Sequence, residues 1–272
     1  MFNYVDPEGA LGAHSEKSYF SRPNQTSTMS RDDQGYSTYK GRIREWISHA
    51  KRRMDSKSKY AFVASLNRSD AVVLDVGCGF DSVRKLKQHA PLVTFDGADI
   101  QSYYMTEEGI KAMRNYWIFP AEQFVEELSA CGEQYDGIIL SHVIEHVAHP
   151  HEFLDKTIGL LKEGGKLYLS TPTVKSTDFP SVKKGCLNFF DDPTHTAPFP
   201  IETWIASAST YGNVTWTPRH RGGLVIRLAA WCTWPYTMIT RRITPLTWYA
   251  FGFESIAVLE RKQMTPETPL AK

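Results

Sequence analysis

Two kinds of segment alternate along the chain. Short runs of β-branched and aliphatic residues, at Ala71–Val76, Leu92–Asp99, near Trp117, Tyr135–Ser141 and Lys166–Thr171, predict strands. Between them, apolar residues recur at three- and four-residue spacing, in a stretch ending at Lys87, then at Glu107–Asn115, Ala121–Ala130 and Pro150–Leu161, which predicts helices. The first run is β-branched and aliphatic up to its acid, as in a strand covered on both faces. Regular strand–helix alternation predicts an α/β fold: a doubly wound, mostly parallel sheet with right-handed crossovers.

The flanks read differently. Residues 1 to about 38 are rich in Ser, Asn, Gln, Gly and Asp and poor in aliphatics, so a flexible amino-terminal arm is expected, with Tyr4, Tyr19, Phe20, Tyr36 and, at its end, Tyr39 as aromatic surface. Residues 39–70 carry Ile43, Trp46, Ile47, Met54, Phe62, Val63 and Leu66 at amphipathic-helix spacing. On that segment Lys51, Arg52 and Arg53 form either a solvated face or a site for phosphate or a lipid headgroup. After Thr171 a long loop runs to about Pro200, followed by a helix at Ile201–Tyr211, a strand at Asn213–Thr217, an aromatic helical insertion at 222–252, a last strand at Phe253–Arg261 and a tail at 263–272. The insertion mixes Trp, Tyr, Ile and Leu with Arg227, Arg241 and Arg242. Such a segment either buries its aromatics as a cap, lines an apolar pocket or rests in a bilayer interface. The main domain is expected to span 39–262.

Charge narrows the partners. With 31 basic and 30 acidic residues the formal charge is +1, which argues against a long nucleic acid as ligand. Cys78, Cys131, Cys186 and Cys232 are scattered and form no CxxC pair, as expected of reduced thiols in a cytoplasmic protein. No basic segment followed by an apolar core opens the chain, so a secretory signal is not expected. The apolar run Leu228–Thr240 is broken by Pro235 and falls short of the roughly 20 residues of a membrane span, so membrane contact would be peripheral.

The most informative stretch is Ala71–Asp81, Ala-Val-Val-Leu-Asp-Val-Gly-Cys-Gly-Phe-Asp. Gly77 and Gly79 fall where a buried strand must turn into a helix, and glycine there both permits unusual backbone angles and exposes bare backbone to a ligand. A dinucleotide fingerprint would need a third glycine where Ser82 stands. Asp75 precedes the first glycine, and Asp99 ends the next apolar run in Gly-Ala-Asp-Ile. In these features, and in Glu133–Ile139 and Leu160–Pro172, the chain resembles the class I S-adenosylmethionine-dependent methyltransferases. The resemblance implies a seven-stranded Rossmann-like sheet whose last strand is antiparallel. It also implies S-adenosylmethionine as cofactor, with Asp75 organising the glycine loop near its amino-acid end and Asp99 bonding both ribose hydroxyls. Cys78, Ile100 and Ser141 fall to the same cofactor site by this resemblance. Glu122 is either an adenine contact or a solvated acid in a first helical turn. The family usually has a third glycine where this chain has Asp81.

A second constellation follows the fourth predicted strand: Ser141-His142-Val143-Ile144-Glu145-His146. If helical, His142, Glu145 and His146 share a face at i, i+3 and i+4. Val-Ile-Glu-His resembles the ubiquinone-pathway O-methyltransferases and the 2′-O-methyltransferases of small-RNA 3′ ends, two metal-using branches. There the pattern is Glu-x-x-Glu-His, His142 replacing the first Glu, and His195 is the counterpart of a further histidine in the RNA branch. Two readings stay open: His142, Glu145, His146 and His195 as ligands of a divalent ion, or His146, His195 and His142 as bases or orienting groups for an acceptor hydroxyl. His149 and His151 are expected on the surface. Asp192-Pro193-Thr194-His195-Thr196-Ala197-Pro198-Phe199 also resembles methyltransferases of bacterial surface-polysaccharide synthesis. The expected activity is therefore O-methylation of a small molecule or a sugar, lipid-linked or free. The alternatives are RNA 2′-O-methylation and a catalytically silent binding module.

Overall fold

The computed structural model describes residues 58–102, 105–179, 181, 188–208, 219–220, 224–240 and 253–262, all within the compact unit Ser48–Lys272. The expected arm at 1–38, the helical stretch 39–57 with Lys51, Arg52 and Arg53, the strand at Asn213–Thr217, residues 241–252 of the insertion and the tail at 263–272 lie outside the described residues.

In chain order the elements are α1 (Lys59–Ser65), β1 (Val72–Val76), α2 (Ser82–Lys87), β2 (Thr94–Asp99), α3 (Glu107–Lys111), β3 (Tyr116–Ile118), α4 (Phe124–Ala130), β4 (Tyr135–Ser141), α5 (Pro150–Gly159), β5 (Leu161–Pro172), α6 (Ile201–Ala208), β6 (Arg219–His220), α7 (Leu224–Cys232), α8 (Trp234–Thr240) and β7 (Glu254–Glu260). The sheet runs β3-β2-β1-β4-β5-β7-β6. Strands β1 to β5 are parallel and β7 runs antiparallel between β5 and β6. Six strands have three residues or more, and β6 contributes two.

Period-two alternation sorts the core into two layers. Leu74, Val76, Ile138, Leu140, Leu167 and Leu169 face one side, under Phe124, Leu128, Leu154, Ile158 and Trp204 of α4, α5 and α6. Val73, Phe95, Ile139 and Tyr168 face the other, under Phe62 and Val63 of α1 and Leu86 of α2. With both faces covered, the ligand-accessible part of such a sheet is the rim at the carboxyl ends of its strands.

Two charged clusters hold the middle strands in place. Asp96 of β2 is fully buried and takes a forked pair of bonds from Arg114 at 3.0 and 2.6 Å, which ties β2 to the approach to β3. Asp136 of β4 accepts from the Val72 amide at 2.9 Å and from Lys162 at 2.7 Å, and also pairs with Arg68. Several boundaries differ from the sequence reading. The stretch Glu163-Gly164-Gly165, between the predicted helix ending at Leu161 and the predicted strand starting at Lys166, lies inside β5 as an irregularity, with Gly164 at φ +73° and a register shift between Tyr135 and Gly137 of β4. Helix α4 begins at Phe124 rather than Ala121, which leaves Glu122 in the preceding turn, exposed, and not in a first helical turn.

Candidate active site

Strand β1 ends at Val76 and the chain turns over the end of β2. The Gly77 amide donates to the Ala98 carbonyl at 2.8 Å, and Gly77 and Gly79 take φ of +64° and +41°. A Cβ on Gly77 would lie 2.7 Å from Cγ2 of Val143, so the glycine turn sits directly against the segment leaving β4. Asp81, in the place of a third glycine, also has a left-handed backbone, φ +54°. Its carboxylate accepts from Thr106 Oγ1 at 2.7 Å and from Arg84 at 2.8 Å, contacts that offset the strain and lower its pKa. An acid here keeps the glycine's backbone shape.

Asp75 is 1% exposed, and its Oδ2 has no hydrogen-bond partner among the described residues. Burial raises its pKa, opposed by Lys59 and by a hydrogen bond with Ser82, which itself accepts from Lys59 Nζ at 2.9 Å. A buried carboxylate oxygen with no donor is costly unless a ligand supplies one. Asp99 is half-buried; its Oδ2 accepts from the Gly79 amide at 2.9 Å and its Oδ1 from the Ile100 amide at 2.8 Å. Each oxygen keeps a further lone pair, so the carboxylate is aimed and still able to take two hydroxyls. Cys78 is buried, its Sγ about where a Cβ on Gly97 would crowd it at 3.0 Å, and burial together with Asp75 and Asp99 pushes its thiol far up. Its side chain packs in the core. Ile100 is more than half exposed beside Asp99.

At the end of β4, Ser141 pairs with Ser170 of β5, their hydroxyls 3.2 Å apart. The next residue, His142, is left-handed at φ +57°, and Ile144–His146 form a 3-10 turn rather than an α-helix. His142 faces Glu145, its Nδ1 3.1 Å from Glu145 Oε1, while its Nε2 lies 3.1 Å from Oε1 of Glu254 at the start of β7. Burial disfavours the imidazolium, but the two carboxylates outweigh it and push the His142 pKa up to about 9. Both ring nitrogens of His142 thus face carboxylates, and His142 is not part of the close group formed by Glu145, His146 and His195.

His146 meets His195 instead, ring centroids 4.8 Å apart. His195 comes from the long loop, where Asn188 and Asp191 form a capping box and buried Phe189 anchors the turn. Its Nδ1 lies 2.6 Å from the Phe189 carbonyl, and His146 Nδ1 lies 3.2 Å from the Thr194 carbonyl and 3.0 Å from its hydroxyl. Donation from Nδ1 to a carbonyl fixes a tautomer whose Nε2 carries the lone pair. Asp192, held ionised by hydrogen bonds from Thr194 and by the two imidazoles, keeps Oδ2 3.9 Å from His195 Nε2. Ligand atoms of Glu145, His146 and His195 all lie within 4.8 Å of one another. Glu145 is fully buried, its Oε2 taking Thr171 Oγ1 at 3.2 Å, and the Thr196 amide clamps its carbonyl at 2.8 Å. His149 and His151 are exposed.

A family model described as a methyltransferase domain matches residues 46–223, more than half of the chain, and so takes in both of these clusters. The chain belongs to the S-adenosylmethionine-dependent methyltransferases. This methyltransferase is 32% identical over 111 residues to the ubiquinone biosynthesis O-methyltransferase of Parvibaculum lavamentivorans, covering 38% of this chain and 40% of that one. It is 33% identical over 110 residues to the same-named enzyme of Coxiella burnetii, covering 36% and 42%. The chain thus spans about two-fifths of the length of the curated relatives it matches (40% and 42%). Among solved structures it is similar to the plantazolicin methyltransferase BamL in complex with a triazolic desmethylPZN analogue and SAH, at a TM-score of 0.53 and 13% identity over 84% of this chain and 91% of that one, a likeness of fold.

The methyltransferase's rim fits its cofactor. Asp75 Oδ2 lacks a donor, the Gly77 turn leaves no room for a Cβ, and Asp99 is preset with spare acceptor capacity. For a divalent ion the ligand set contracts from four to three, Glu145, His146 and His195, with both histidines braced at Nδ1 as metal ligands usually are. Sequence reasoning passed over Glu254, Thr171 and Thr194. Glu254 did carry a signal, an acid opening the final strand ahead of the apolar run Ile256–Leu259.

Proposed function

We propose that this methyltransferase O-methylates a hydroxyl group of a small molecule or a sugar. The observation that carries this reading is the His146–His195 pair, each imidazole braced at Nδ1 by a backbone carbonyl. S-adenosylmethionine supplies a methyl group on a sulfonium, open to in-line displacement. The protein's own task is to hold the acceptor oxygen in line, exclude water and remove one proton. Asp99 holds the ribose diol, Asp75 with Gly77 and Gly79 shapes the amino-acid end, and Ile100, Glu122 and Ser141 complete the cofactor pocket. As the oxygen–carbon bond forms and the sulfur–carbon bond breaks, His195 Nε2 accepts the hydroxyl proton. The nearby Asp192 carboxylate stabilises the resulting imidazolium, and His146 orients the acceptor. The Asp-x-x-His-x-x-Pro-Phe run at Asp192–Phe199 supports a sugar as acceptor. Free thiols at exposed Cys131 and Cys232 support a reducing compartment, the cytoplasm.

The closeness of Glu145, His146 and His195 favours one second reading, in which they hold a divalent ion that lowers the hydroxyl's pKa. Release of S-adenosylhomocysteine with a cell extract as acceptor source tests both. His195→Ala should lower turnover roughly 10²- to 10⁴-fold with cofactor affinity unchanged; equal loss of both would make the histidine structural. Activity that survives chelator treatment selects the base, and activity lost to chelator and restored by a divalent ion selects the metal.

A further inference from the structure

The segment after β6 holds chemistry that methyl transfer does not use. Helices α7 and α8 meet at Thr233, and between Arg227 and Thr240 only Ala230 and Thr237 are buried. Trp234 fastens the pair to the body by packing on Phe179, centroids 5.1 Å apart, which in turn packs edge-on against Phe253 at 5.0 Å. Large apolar side chains remain in solvent around that anchor: Leu228 is 58%, Trp231 52%, Tyr236 51% and Ile239 82% exposed. Exposure of so many in one short segment marks an interaction surface.

The charge of the segment narrows its partner. From Thr203 to Phe253 the chain has no Asp or Glu and five arginines, Arg219, Arg221, Arg227, Arg241 and Arg242, in a protein whose formal charge is +1. The rest of the chain is therefore net negative. The same stretch holds Trp204, Trp216, Trp231, Trp234 and Trp248, five of the seven tryptophans. Arg227 and Trp231 are one helical turn apart and so share one face of α7. A second copy covering this helix pair would find no acid in the stretch to pair with its Arg227. Tryptophan and tyrosine at the boundary, aliphatic residues beyond it and arginines reaching to phosphate are instead the composition that lies in a bilayer interface. Among the described residues no helix is long and apolar enough to cross a membrane, so the contact is along the surface.

We infer that α7 and α8 form a docking surface for a bilayer containing anionic lipids, with Leu228, Trp231 and Ile239 entering the headgroup–acyl boundary. This partner is the bilayer itself, so the inference stands apart from which hydroxyl is methylated. Flotation of the full chain with vesicles, without acceptor or cofactor, tests it. Vesicles of phosphatidylcholine with about one third phosphatidylglycerol should carry the protein up the gradient, at least roughly tenfold better than phosphatidylcholine alone, and raised salt should weaken the binding. The double substitution Leu228→Ser, Ile239→Ser should reduce partition about tenfold or more while leaving S-adenosylhomocysteine binding intact, which reports that the fold is kept. In the parent protein, lipids brominated along the acyl chain should quench tryptophan emission, and Trp231→Phe should remove much of that quenching. No flotation with anionic vesicles overturns the inference, as does flotation indifferent to the double substitution. A concentration-dependent dimer in sedimentation equilibrium that Ile239→Asp abolishes also overturns it, by showing that a second copy covers the face.

Discussion

Gly77 shows how much one position constrains. Its φ of +64° is in the left-handed region, and a Cβ there would stand 2.7 Å from Val143 Cγ2. Gly77→Ala should therefore cost about 1–3 kcal/mol of stability and weaken cofactor binding, because relief of the clash moves either the loop or the strand end that faces it. Chemical denaturation and a cofactor titration on the variant check both effects, and an unchanged titration would detach the turn from the cofactor. Asp75, Gly77, Gly79 and Asp99 were legible in the sequence because their work is local: a strand end, a turn and the end of the next strand. Asp81 was legible only as a departure. That an acid could hold a glycine's backbone depends on Thr106 and Arg84, and Thr106 arrives 25 residues later. Cys78 fell within the motif yet turns inward, a direction that spacing does not encode.

The segment that leaves β4 shows the limit of periodicity at the level of an element. A helix would have put His142, Glu145 and His146 on one face; a left-handed residue followed by a 3-10 turn divides them. His142 then belongs with Glu145 and with Glu254, 112 residues away in sequence, and His146 with His195. No local pattern announces a carboxylate brought in by the antiparallel last strand. The pairing has a pH signature. The folded chain holds the His142 proton up to about 9, whereas an unfolded imidazole releases it near about 6.5. Its contribution to stability is complete below about pH 6.5 and is lost as the pH rises through about 9. The stability advantage of the parent over Glu254→Gln should accordingly be largest near neutral pH and shrink or reverse in mildly alkaline solution. Denaturation curves across that range measure it, together with the His142 ring proton by NMR; a His142 that titrates near its unperturbed value in the parent would contradict the pairing.

For the molecule as a whole, alternation of strand and helix foretold the parallel sheet, and the two-sided burial of Leu74 and Val73, or Leu140 and Ile139, explains why the pattern was so clear. What alternation could not supply is the rim, where the turn after β1, the carboxylate closing β2 and the histidines beyond β4 and in the Asn188–Phe199 loop converge. Closely packed layers leave the strand ends as the place for chemistry, and the sequence distributes the parts of that place over more than a hundred positions. The near-zero net charge likewise hid a segregation, with an acid-free, arginine-bearing stretch at one end of a net negative remainder.

The claim on which the rest depends is that Asp75, the glycine turn and Asp99 together cradle the cofactor. Calorimetric titration of the full chain with S-adenosylhomocysteine tests it most directly, beside Asp99→Ala. Saturable one-to-one binding, weakened about tenfold to a hundredfold by loss of the Asp99 carboxylate, is the predicted result. No binding at millimolar ligand, or binding indifferent to Asp99→Ala, would contradict it.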